Sequence, residues 1–288
     1  MGDKQSPPVP LGMESTSKCY QYAPSYIPNL KVKTWWDDVV VNENMLWTRM
    51  LSKSYPAIKD EFESVVFAKA DKLHAEGSNV WARALTSDAE SYGPGWKTLV
   101  LLNRGRWDDA NAKLFPVTSK AIHDSGIPAV EAFFASMDAH SSIEPHSDFT
   151  NFVLTCHLPL IVPENGKNKC RLTVGDETRQ WTEGNLILFD TSIYHDATND
   201  ADATRYILML RIWHPDLTKE ERDALQFIYD CLEHPELLSE DTEIALSAQR
   251  LATSMKEFPL EQSSRTTGGF GGSKGKVGDK KSSRRAKR

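Results

Sequence analysis

Residues 144–162 read EPHSDFTNFVLTCHLPLIV and residues 186–213 read LILFDTSIYHDATNDADATRYILMLRIW. Apolar runs of strand length follow one another here, separated by short polar turns, and Glu183-Gly184 introduces one run as a turn does. Strands at that spacing, from about 130 to 215, predict a mainly β domain with flanking helices: a double-stranded β-helix, the cupin-like jelly roll. His146 and Asp148 are two apart, so on an extended segment they project to one side. His195 follows the Leu186–Asp190 run and supplies a third donor. Two imidazoles and a carboxylate on one face suit Fe(II), leaving coordination positions open. Arg205 then opens Tyr206–Leu210, placing a guanidinium at the head of a buried strand. A charge there is expensive without an anionic partner.

Outward from this core the pattern changes. From Asn42 to about Gly77 apolar residues recur at three- and four-residue steps, with Pro56 predicting a break between two helices. Thr98–Leu102 reads as a short strand and Phe115–Ile122 as the start of another helix, giving a helical amino-terminal part over 37–125. Residues 1–24, rich in Pro, Ser and Gly, read as a flexible lead. After Thr218, with Glu221 three positions on, a capped helix starts, and helices are expected over 218–258.

The protein has 288 residues and a net charge of −6. Between Arg265 and Arg288 nine Lys/Arg face one Asp, so the acidic domain carries a basic tail, expected to be disordered over 261–288. Its last seven residues suit a nuclear address or an anionic surface, and a solvated extension is the preferred reading. No apolar stretch reaches membrane-span length, and Met1–Pro10 lacks the features of a secretory signal. Cys19, Cys156, Cys170 and Cys231 are far apart in sequence and form no zinc spacing. A cytoplasmic protein with reduced thiols is the expectation. Phosphate loops and nucleophile elbows are missing, which removes kinase and hydrolase readings, and no clear nucleic-acid signature appears.

Residues 25–218 resemble the aspartyl/asparaginyl β-hydroxylase family of Fe(II)/2-oxoglutarate-dependent dioxygenases. The likeness rests on Ser25–Pro28, Trp35–Asp37, Pro145-His146, Thr150-Asn151, Cys156–Pro163, Glu177–Gly184, Leu188–His195 and Trp213–Thr218. It implies that one dioxygenase domain spans 25–260, that His146 and His195 bind iron, and that Arg205 holds the distal carboxylate of 2-oxoglutarate. His157 would also contact the cosubstrate, as would Ser136, across a connection to His146 one residue shorter than the family's. O2 would be the second cosubstrate, and hydroxylation of an amino-acid, peptide or small-molecule substrate the outcome. Trp35 and Trp36 are either core or a stacking pair at the pocket mouth.

Departures from the family pattern are informative. Asp148 stands where relatives have a small residue, usually glycine; it completes a triad and argues against halogenation. Phe152–Thr155 replaces a stretch that in relatives carries arginines. Arg211 replaces an acidic residue, and either meets a substrate anion or caps the sheet. Two other classes stay open: a jelly-roll binding module without turnover, and a cupin-like metalloenzyme with no use for 2-oxoglutarate, which would not need Arg205. The tail's composition cannot build a core. Ending the chain near Glu261 should therefore leave melting temperature and turnover unchanged while weakening retention on anionic surfaces in a salt-sensitive way; loss of turnover would mean that the tail folds over the pocket.

Overall fold

Arg205–Trp213 (RYILMLRIW) is apolar on both faces, as a strand covered on both sides must be, and it lies at the middle of the larger of two sheets. The computed structural model describes residues 19–42, 45–68, 82–83, 95–148, 150–163 and 167–234, with single positions at 237, 243, 246, 247 and 250. In chain order its strands are β1 (Ala82–Arg83), β2 (Trp96–Asn103), β3 (Arg106–Trp107), β4 (Ala129–Met137), β5 (Ser141–His146), β6 (Val153–Ile161), β7 (Cys170–Val174), β8 (Glu177–Arg179), β9 (Ile187–Phe189), β10 (His195–Asn199) and β11 (Arg205–Trp213). The helices are α1 (Asp37–Val40), α2 (Leu46–Glu63, followed by a π turn over Ser64–Ala68), α3 (Asp109–Leu114), α4 (Pro116–Ser125) and α5 (Lys219–Glu233). The larger sheet runs β1-β2-β4-β11-β6-β9 with β3 on β2, and the smaller runs β5-β10-β7-β8. Every pairing between these strands is antiparallel among the described residues. The fold is the expected double-stranded β-helix.

Strand alternation divides the apolar residues between two cores. Leu208, Leu210 and Ile212 of β11 join Leu154, Cys156 and Leu158 of β6 on the outer face, under Leu51, Ile58 and Phe62 of α2. Ile207 and Met209 point the other way, between the sheets, with Ile143, Leu172, Val174, Phe189 and Ala197. Each fully buried aliphatic or aromatic side chain contributes about 1.5–3 kcal/mol by leaving water. The inner face of β11 is therefore Arg205, Ile207, Met209 and Arg211, and that parity aims both arginines between the sheets.

Pro56 does not divide two helices; it lies within α2. Proline removes one main-chain bond and crowds the carbonyl four residues back, but Trp47, Thr48, Leu51, Ile58 and Phe62 are buried on a single face that continues across it. That burial outweighs the missing bond. Pro116 occupies the first turn of α4, where its absent N–H is no loss, and α5 starts with the expected capping box of Thr218 and Glu221. α3, capped by Asp108, was not anticipated. The expected helical residues 69–77, residues 1–18 of the lead, most of 235–258 and the tail lie outside the described residues. Among the described residues no helix is long and apolar enough to cross a membrane, and none of the four cysteines is in a disulfide.

Glu183 ties the helical layer to the barrel. One carboxylate oxygen accepts from Tyr55 Oη (3.0 Å) and Lys59 Nζ (2.5 Å) of α2, the other from the Val162 main-chain N–H (2.9 Å). The next residue, Gly184, has φ +75°, and a Cβ there would lie 3.0 Å from the Tyr55 ring. Burial raises the Glu183 carboxyl, but Lys59, the Val162 N–H and Tyr55 outweigh it and hold it below the usual carboxylate range. A lowered folded-state value means that this stability is present above the unfolded pKa and is lost as pH falls through the folded one. Glu183→Gln should cost about 1.5–3 kcal/mol at neutral pH, with the difference from the parent shrinking in acid. Denaturant melts at pH 7 and pH 3.5 check both.

Candidate metal centre and anion pocket

Two residues of β10 span three of β5: His195 pairs with His146, but Ala197 pairs with Ile143. Strand parity would send Ile143 and His146 to opposite faces. The extra residue in β5 is a bulge at Glu144-Pro145, both exposed, and proline suits it because a bulged residue gives up its ladder bond. Ile143 and His146 thereby both reach the space between the sheets. His195 opens β10 directly opposite, with ring centroids 4.2 Å apart.

Asp148 lies past the end of β5, where its main-chain N–H donates to the Thr191 carbonyl at 2.7 Å. One donor atom from each of His146, Asp148 and His195 lies within 4.8 Å of the other two. A carbonyl only accepts, so Nδ1–H of His146 donates to Glu144 O (2.8 Å) and Nδ1–H of His195 to Ile193 O (2.9 Å). That fixes the tautomer in which Nε2 keeps its lone pair for a metal. Neither acceptor is a carboxylate. Asp190 instead takes the Ser192 N–H and hydroxyl and the Gln21 amide, stiffening the turn before His195. Burial and the neighbouring His146 push His195 down to about 4, so it is neutral near pH 7. Asp148 is raised by burial, yet Arg211 and the two histidines more than compensate and hold it below its ordinary value. The donor set and its protonation fit a divalent iron.

The triad lines one side of a cleft between the sheets. Across it lies Arg205, 1% exposed, its guanidinium 4.2 Å from the Trp181 ring and 5.7 Å from Trp96. None of its Nε and two Nη atoms has a hydrogen-bond partner among the described residues. Burial lowers its pKa to about 10, which leaves it charged at neutral pH. Trp181 Nε1–H donates to His157 Nδ1 at 3.1 Å. With Nδ1 accepting, the His157 proton sits on Nε2, a second buried donor without a partner among the described residues. Burial, and then the Arg205 charge, lower His157 well below its usual range and keep it neutral. Five donors in a fork plus one imidazole N–H facing a cleft are the equipment of a carboxylate receptor.

Not every expected residue reaches the cleft. Ser136 is buried on the outer face of β4, across from Tyr206 and in step with Phe134. Trp35 packs on Phe189 under the Arg179 guanidinium, and Trp36 meets His214 edge-on; neither lines the cleft. Arg211 has carboxylate partners in Asp148 (2.5 Å) and Glu131 (3.4 Å). Trp96, Leu172, Thr191 and Met209 line the cleft without having been singled out. Met209 was readable, since it shares parity with Arg205; Trp96 comes from β2 through its register with Met137, which no local pattern signals. Trp181→Phe should release the His157 tautomer and leave a buried acceptor unsatisfied, at about 1–3 kcal/mol. Imidazole 15N shifts and a melt would show it; an unchanged Nε2–H tautomer in the folded variant would assign the lock to another group.

The chain is similar to known proteins. The aspartyl/asparaginyl β-hydroxylase family profile matches residues 52–215. The mouse aspartyl/asparaginyl β-hydroxylase is 27% identical over 206 residues, 70% of this chain and 26% of that protein. An ornithine lipid ester-linked acyl 2-hydroxylase of Rhizobium tropici is 30% identical over 59% of this chain and 58% of its own. Human aspartate β-hydroxylase domain-containing protein 2 is 29% identical over 62% and 48%. The chain thus spans between about a quarter and just over half of the length of these relatives. Solved structures resembling part of it include a 2OG-Fe(II) oxygenase family oxidoreductase from Burkholderia pseudomallei (12% identity, TM-score 0.30, 41% of this chain and 68% of that one). A Cupin 2 conserved barrel domain protein from Salinispora arenicola is another (11%, TM-score 0.29, 46% and 84%). With more than half of its length matched, and with both histidines and Arg205 inside the match, the chain belongs to the aspartyl/asparaginyl β-hydroxylase family.

Proposed function

We propose that this protein is an Fe(II)- and 2-oxoglutarate-dependent dioxygenase that hydroxylates an unactivated C–H of an amino-acid, peptide or small-molecule substrate. The observation that carries the reading is Arg205: a buried guanidinium without a partner among the described residues, in the same cleft as the His146–Asp148–His195 cluster. Without an anion such a group is a net loss to the fold; a dicarboxylate that reaches the metal with its other end removes the loss. The relatives' names supply the chemistry, since the mammalian protein is a β-hydroxylase and the bacterial one an acyl 2-hydroxylase.

On this reading His146, Asp148 and His195 hold the metal on one face, and their fixed tautomers keep both imidazoles as lone-pair donors. Arg205 pairs bidentately with the distal carboxylate and His157 Nε2–H donates to the cosubstrate, fixing its orientation. Bound there, Fe(II) with 2-oxoglutarate and O2 supplies the oxidising power that converts C–H to C–OH, releasing succinate and CO2. Ile143, Leu172, Phe189 and Met209 keep water away from the reacting centre.

Purified protein loaded with Fe(II) should release succinate from 2-oxoglutarate under air, and more when a matching substrate pool is added. His146→Ala and His195→Ala should lose bound iron and turnover together. Arg205→Met should retain iron and melt no lower than the parent, because an apolar isostere replaces a buried charge, yet its 2-oxoglutarate requirement should rise by the equivalent of about 2–5 kcal/mol. Full activity in either histidine variant, or unchanged 2-oxoglutarate affinity in folded Arg205→Met, would sink the proposal.

A further inference from the structure

Asp148 is held from several sides. Its main chain is tied to Thr191, its side chain also accepts from the Thr191 side chain, and Oδ2 takes a 2.5 Å hydrogen bond from Arg211 Nη1. Arg211 is in turn 3.4 Å from Glu131 through Nε. Glu131 faces Arg211 across the β4–β11 register, so the two meet on the inner face of neighbouring strands. The Asp148 and Arg211 side chains are 9% and 18% exposed, dry enough for the charge-assisted bond to be little screened.

We propose that Arg211, braced by Glu131, is a positioning residue of the metal centre: by holding Oδ2 it stops the Asp148 carboxylate from turning and presents it to a metal through its other oxygen. The inference rests on the proposed metal site. It also has a sign that electrostatics alone does not give. A guanidinium beside a divalent cation repels it, so a merely charge-balancing Arg211 would weaken metal binding, and its removal would tighten it. A residue that orients a ligand does the reverse, and losing such a contact lowers metal affinity by roughly 10–100-fold.

Co(II) is the probe, added to the metal-stripped full chain, with affinity read by titration and coordination by the visible d–d bands. Arg211→Met should bind Co(II) roughly 10–100-fold more weakly with altered bands. Arg211→Lys, which keeps the charge without the fork, should recover part of the affinity, and Glu131→Gln should move both readouts in the same direction by less. Asp148→Ala should weaken binding in the parent and add little on top of Arg211→Met, the non-additivity expected of two groups acting through one contact. Equal or tighter Co(II) binding by folded Arg211→Met overturns the inference, as does full additivity with Asp148→Ala. Should Arg211→Met fail to fold, unchanged Co(II) bands in Glu131→Gln overturn it instead. Unaltered Co(II) binding in His146→Ala and His195→Ala would remove the metal site itself, a failure distinguishable from that of Arg211.

Discussion

The bulge at Glu144-Pro145 is the constraint on which the site depends. A strand alternates its faces, and a register slip of one residue inverts every side chain that follows. Ile143 must face inward to pack with Leu172 and Ala197, and three positions later His146 must face inward as well. Both hold only because β5 carries one residue more than β10 across that interval. Without it the core would keep Ile143 and turn His146 to solvent. The antiparallel pairing of His146 with His195 then sets the distance between the two imidazoles through the main-chain ladder.

Arg205 illustrates the opposite economy. The sheet tolerates a wholly buried guanidinium because two indole faces, Trp96 and Trp181, partly replace its hydration, and because Trp181 also orders the neighbouring imidazole. One aromatic side chain thus shields the cation and aims the second donor. The Arg205 nitrogens still have no hydrogen-bond partner among the described residues, so an anion in the cleft would improve their surroundings.

The second half of the chain announced itself through strand-length apolar runs, so the jelly roll, the two histidines and the buried arginine were legible before any coordinates. Period-two alternation predicted which face of β11 carries Arg205 and Arg211. It did not predict the bulge, because a bulge is a property of two paired strands, and Glu144-Pro145 alone reads as an ordinary turn. The same limit explains Ser136. The resemblance suggested a cosubstrate contact, whereas the β4–β11 register turns its side chain to the helical side. Pro56 misled for a different reason, since local proline chemistry was weighed without the burial of Leu51, Ile58 and Phe62 on either side of it. The partners of His146 and His195 are carbonyls two residues back, a solution that leaves no trace in side-chain identity.

Charge balance links the two halves of the cleft. Asp148 is paired with Arg211, which Glu131 braces, while Arg205 lines the same cleft. A divalent cation and a dicarboxylate carry opposite charges, and in a space where water screens poorly each offsets the other. On the proposed reading each ligand therefore raises the affinity for the other, and this coupling comes from the residues the chain has placed around the site, Arg211 and Glu131 included, rather than from direct contact alone. Asp148 fits the same balance: the negative charge that it brings into the barrel is compensated by Arg211.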